Sequence, residues 1–330
     1  MTVRRIVIAG AAALAACGIA GGVPSAALAG SSSAAAWAKL APATHPSGRV
    51  SAAMAYDAAT GKVVLFGGFN CCRWLGDTWT WNGTTWARQH PAASPPARSG
   101  ASMAYDAATG KVVLFGGANG SSQALGDTWT WNGTTWARQH PAASPPARSG
   151  ASMAYDAATG TVVLFGGNGS GADLFSDTWT WNGTAWTQQA PATSPHVRLG
   201  AAMAYDAATS NIVLFGGYDF SDILGDTWTW NGITWTQQAP ATRPPGRWVA
   251  SMAYDAATST VVLFGGIGSS RILGDTWTWD GASWTQQNPA VHPRARKAAA
   301  MAYDAATGFV ILFGGETPRS VIVSDTWAWG

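Results

Sequence analysis

The side chains with the most chemical potential lie outside the regular features of this sequence. Cys71 and Cys72 are adjacent, a spacing open to a vicinal disulfide, a redox pair or two plain thiols. Asp219 and Asp222 share one short segment and resemble a hydrolytic carboxylate pair, but no third group is spaced to orient them. His45, His90, His140, His196 and His292 fall in separate connecting segments, without the close spacing of metal ligands. Arg49, Arg98, Arg148, Arg198, Arg247 and Arg296 recur regularly. A ring of such guanidinium groups at a channel mouth would attract carboxylate or phosphate; the competing and preferred reading pairs each with a recurring Asp such as Asp77. Phe69, Trp74, Tyr218 and Phe220 stand in variable segments together with Arg73, Asp219, Arg271 and Arg319. That mixture suits contact with a protein or a carbohydrate. No catalytic set, cofactor motif or metal motif emerges from these residues.

The composition bounds what can hold them. Of 330 residues, 47% are hydrophobic and only 11% charged, with 40 Gly and 20 Trp, whereas an ordinary domain carries about 25% charged residues. So many aromatic side chains exclude a disordered chain. The absence of a charge-flanked apolar period of 3.6 argues against a helical bundle. Met1-Thr-Val-Arg4-Arg5 is a basic head, Ile6 to Val23 an apolar stretch, and Ala27-Leu28-Ala29 a small-residue cleavage site; residues 1–29 therefore read as a secretory signal peptide. Leu14-Ala15-Ala16-Cys17 also resembles a bacterial lipobox, which would instead leave a lipidated Cys17 as the first mature residue. Either way the expectation is a secreted or extracytoplasmic protein, with a membrane reached only through such an anchor. The net charge of +2 comes from Arg4 and Arg5, so the mature chain is formally neutral and has no basic footprint for nucleic acid.

One repeat accounts for nearly all of residues 30–330. Met-Ala-Tyr-Asp begins at Met54, Met103, Met153, Met203, Met252 and Met301, followed each time by Leu-Phe-Gly-Gly and then by Asp-Thr-Trp-Thr-Trp or, last, Asp325-Thr-Trp-Ala-Trp329. Trp86, Trp136, Trp186, Trp235 and Trp284 complete five copies. Each unit reads as four short strands: Ser51 to Asp57, the apolar run Lys62 to Phe66, Asp77 to Trp81, and Thr84 to Gln89 after a two-residue Asn82-Gly83 hairpin turn. The sixth copy stops at Gly330, before its outer strand. Trp37 stands 12 residues before Arg49, the spacing by which each outer Trp precedes an Arg. The N-terminal strand is thus expected to complete the last blade and close an all-β, six-bladed propeller as a single domain.

With four apolar residues, a Gly-Gly pair, two aromatics such as Trp81 and Trp86, and an Arg before the next unit, the chain resembles the Kelch repeat proteins. The resemblance covers all six units and implies the propeller fold. It also brings galactose oxidase into view, whose central domain is of this type and whose copper is held by two Tyr and two His, one Tyr being cross-linked to Cys. Six of the seven Tyr here are repeat residues and only Tyr218 is free, so that copper site does not carry over.

Tracing the chain through a blade puts the connectors and the loops after Gly-Gly on one side. Those loops alone vary in length, from eight to nine residues, and in sequence. Residues 75–110 and 125–160 are identical, so whatever distinguishes the first two blades lies in their tips. The functional expectation is a monomeric, non-catalytic propeller of the cell envelope or exterior, without cofactor, that binds a protein or glycan through these tips. A galactose-oxidase-like or hydrolytic enzyme using the same face is the alternative.

Overall fold

A computed structural model describes residues 35–171 and 173–330. The signal segment and Cys17 lie outside the described residues. Six separate four-stranded antiparallel sheets follow one another along the chain. Their innermost strands pack side by side in order, and the last, Ala300–Asp304, packs against the first, Ala53–Asp57. This is the six-bladed ring.

The apolar second strand explains the packing. In blade 1, Val63 and Leu65 face one neighbour while Val64 and Phe66 face the other, because successive side chains on a strand point to opposite sides. All four are at most 1% exposed. Six hydrophobic clusters result, each drawn from two adjacent blades. The outer-strand Trp completes each seam by reaching across it. Trp136 packs 5.4 Å from Phe66 of its own seam neighbour and donates its indole N–H to Thr78 Oγ1 at 2.9 Å, both in the preceding blade.

The closing strand repeats this geometry. Trp37–Leu40 pairs antiparallel with Thr326–Trp329, Trp37 standing opposite Trp329. Trp37 donates to Thr276 Oγ1 at 2.9 Å and packs 5.3 Å from Phe264 in blade 5. It therefore occupies the place that Trp136 occupies in blade 2, although it enters from the opposite end of the chain.

Three element boundaries differ from the sequence expectation, each for a local reason. The first strand starts at Ala53 rather than Ser51, because Ser51 has a left-handed φ of 52° and its backbone serves another bond. The third starts at Thr78 rather than Asp77, whose side chain is held by Arg49. The hairpin is a four-residue loop: Trp81 pairs with Trp86, and Asn82 Oδ1 accepts the N–H groups of Thr84 and Thr85 at 3.0 and 2.9 Å. Only Gly83 has positive φ, whereas a two-residue type I′ turn needs it at both central positions. The Asp ending each first strand caps its own turn as expected: Asp57 accepts the Ala59 N–H at 3.1 Å and the Thr60 hydroxyl at 2.8 Å.

Candidate binding face

The Arg residues do not line the channel mouth. Each lies buried within its blade, 0–1% exposed, and forms a two-pronged pair with the Asp at the head of the third strand, the shortest N···O distances being 2.5–2.8 Å. Arg98 also donates to the carbonyls of Gly116 and Pro96 at 2.9 and 3.0 Å. Five donors in a rigid fork let one guanidinium tie the connector, the second strand's end and the third strand's start together. Burial pushes each of these carboxyls up, but the guanidinium's hydrogen bonds and charge, with the neighbouring indole N–H, outweigh it and leave the net value below the ordinary one. The pairs hold the loops from beneath and leave no guanidinium from this set for a ligand.

The mouth is built instead from small residues two positions further on. Ser51 donates its N–H to the Ala298 carbonyl, Ala298 to Val249, Val249 to Gly200, Gly200 to Gly150, Gly150 to Gly100 and Gly100 to Ser51, at 2.7–2.9 Å. Each of the six has positive φ. A closed belt of backbone hydrogen bonds thus surrounds the axis, lining a depression of about 140 Å³. Its sequence signal is the Gly at 100, 150 and 200, obscured by Ser51, Val249 and Ala298 in the other three blades.

Immediately outside the belt, the next-lower residue of each connector bridges to the first residue of the blade's tip: Val50 to Phe69, Leu199 to Tyr218, Trp248 to Ile267, Lys297 to Glu316. The variable tips are therefore seated on the belt's rim, on the connector side. Lys297 and Glu316 form an ion pair at 3.4 Å there.

The four tip aromatics do not form one surface. Phe69 and Trp74 pair across the base of the blade 1 tip, ring centres 4.9 Å apart. Tyr218 and Phe220 belong to blade 4, on the opposite side of a six-membered ring, 5.9 Å from each other. Tyr218 instead meets Trp248 at 5.3 Å, a residue whose break with the repeat was visible in the sequence but whose role was not. Leu199 and Ile267, bridged to Tyr218 and Trp248, extend this second cluster, and Phe220 is 46% exposed.

Asp219 and Asp222 do not act as a facing pair. Asp219 Oδ1 accepts the backbone N–H groups of Asp222 and Ser221 at 2.7 and 2.9 Å, and Oδ2 lies 3.6 Å from His196 Nδ1. The Asp222 backbone bond above all, with that from Ser221 and the nearby His196 and Arg198, holds the Asp219 carboxyl below the usual range. It is the cap of its own turn. Cys71 and Cys72 sit exposed on the blade 1 tip, their Sγ atoms 2.8 Å apart. Arg73, Arg271 and Arg319 are all exposed, on the tips of blades 1, 5 and 6. Among the described residues no group of three His, Cys, Asp or Glu side chains is gathered for a metal.

A family model, the KLHDC2/KLHL20/DRC7 Kelch-repeats domain, matches residues 182–329. The same structural unit recurs in all six sheets, including those outside the matched span. The matched span and the six-bladed ring together support a Kelch repeat protein. No curated protein matches the chain. Kelch propellers commonly bind proteins, and the fold suggests a protein-binding scaffold.

Proposed function

We propose that this Kelch propeller is an exported, non-catalytic platform that binds a protein partner through its tip face. The observation that carries the reading is the cluster of Leu199, Tyr218, Phe220 and Trp248 on the rim of the belt. It consists of tip and connector residues outside the repeated core, and its exposed edge serves no blade seam. Aromatic anchors of this kind, close to a backbone held rigid by hydrogen bonds, make good interface hot spots.

Replacing Tyr218 and Phe220 by Ser tests this without disturbing the seams. Affinity capture from the native cell envelope, with identification of partners by mass spectrometry, should lose those retained by the parent protein; undiminished capture would refute the tip-face reading. Export is proposed on the basic head, apolar stretch and Ala27-Leu28-Ala29 site. The mass of the mature N-terminus distinguishes cleavage after Ala29 from lipidation at Cys17. A monomer is expected, since the outer sheet edges among the described residues are four-residue strands such as Trp86–Gln89, too short to template pairing with a second copy.

A further inference from the structure

We propose that the cavity beside the blade 1 tip is a binding site for an acidic sugar, a hexuronate residue of a glycan. The cavity, about 430 Å³, is lined by Arg73, Trp74, Asp77, Trp79 and Arg88, with Ser47 from the connector. It falls in the usual size range of small-ligand sites, about 300–1,000 Å³. The inference does not rest on the protein-docking reading, whose aromatic cluster lies on blades 4 and 5.

The chemistry of the lining is specific. Asp77 is already neutralised by Arg49 at 2.8 Å and accepts the Trp79 indole N–H at 2.7 Å. Arg73 and Arg88 are exposed and neither has a carboxylate partner among the described residues. Two uncompensated guanidinium groups therefore stand at one cavity in a molecule that is otherwise close to neutral. Their planar forks match a carboxylate. Two indoles share the same cavity, and the negative face of an indole attracts the weakly positive C–H face of a pyranose ring. A carboxylate carried on a pyranose uses both features at once, whereas a bare phosphate uses only the guanidinium groups.

A repeated blade supplies the comparison. Residues 54–68 recur unchanged as 103–117, and 75–110 as 125–160. Between these stretches, Phe69 to Trp74 faces Ala118 to Ala124, where only Asn70 and Asn119 agree. From 54 to 110 against 103 to 160 the differences are confined to the tip; the preceding connectors, 45–53 and 94–102, also differ, Ser47 standing where blade 2 has Pro96. By the bridge pairing, Trp74 corresponds to Ala124, and Gln123 precedes it where Arg73 precedes Trp74. Blade 2 keeps Asp127, Trp129 and Arg138 but lacks the tip's indole and guanidinium.

The test is calorimetric titration of the purified protein with tri-galacturonate, neutral galactotriose and inorganic phosphate. Tri-galacturonate should bind one per chain, and galactotriose at least about tenfold more weakly. Trp74→Ala and Arg88→Ala should each weaken binding by about tenfold, with Arg138→Ala unchanged as the matched control. Grafting the 69–74 segment in place of 118–124 should raise the stoichiometry towards two. Arg88 is exposed on the outer strand, so its variant reads binding even if Trp74→Ala folds poorly. No binding of tri-galacturonate, equal binding of the neutral trimer, equal sensitivity to Arg138→Ala, or full competition by phosphate would each overturn the proposal, the last marking a simple anion site.

Discussion

Replacing Trp37 by Ala should open the ring. Trp37 is 2% exposed, packs on Phe264 and Trp329 at 5.3 and 5.4 Å, and donates to Thr276 Oγ1. Truncating a buried Trp costs about 3–5 kcal/mol through lost burial and the cavity left behind, and that range already includes most of the loss at Thr276. For Ala35–Gly330, an unfolding entropy of about 2.1 cal/mol/K per residue sums to roughly 0.6 kcal/mol/K, so the melting temperature should fall by about 5–8 °C if unfolding stays cooperative. Trp136→Ala is the matched comparison, since its contacts with Phe66 and Thr78 are the same in kind. Differential scanning calorimetry of both variants decides the matter. A melting temperature for Trp37→Ala within a degree of the parent, beside a large drop for Trp136→Ala, would mean that the N-terminal strand is not an integral part of the last blade.

Asp127→Asn leaves Arg98 buried without its partner and should cost about 3–5 kcal/mol in denaturant unfolding. Because the folded-state carboxyls of these pairs lie below their ordinary value, the stability they contribute is fully present above about pH 5 and is lost as pH falls through the lowered values; melting temperatures flat from pH 5 down to 2 would contradict this. Gly133→Ala should destabilise by about 1–3 kcal/mol, since φ is +94° and the new Cβ would stand 2.6 Å from Thr60 Cγ2 of the preceding blade; an unchanged denaturation midpoint would count against it. Val249→Gly should stabilise by up to about 1 kcal/mol, because a β-branched residue at φ 46° carries left-handed strain that exceeds the added entropy of Gly in the unfolded chain. A lower melting temperature for that variant would show that the Val side chain contributes more than its backbone costs.

The period of the repeat, the blade count, the four strands per blade and the role of Trp37 as the displaced outer strand were all legible in the amino-acid order. They depend on local alternation and fixed spacing, and every blade repeats the same evidence. The Arg–Asp pairing was legible as the better of two readings because both residues recur in each copy. Tertiary structure decided what depends on neighbours brought together by closure. The axial belt needed it, since its six members include Gly, Ser, Val and Ala and share a backbone conformation rather than a residue type. So did the division of the tip aromatics: Phe69 and Tyr218 hold the same place in their blades, and only the ring geometry sets those blades on opposite sides. Trp248 gained a partner in Tyr218 because blades 4 and 5 pack side by side, and Arg88 a cavity shared with Arg73 and Trp74 because antiparallel pairing within blade 1 sets it opposite Trp79, beside the tip.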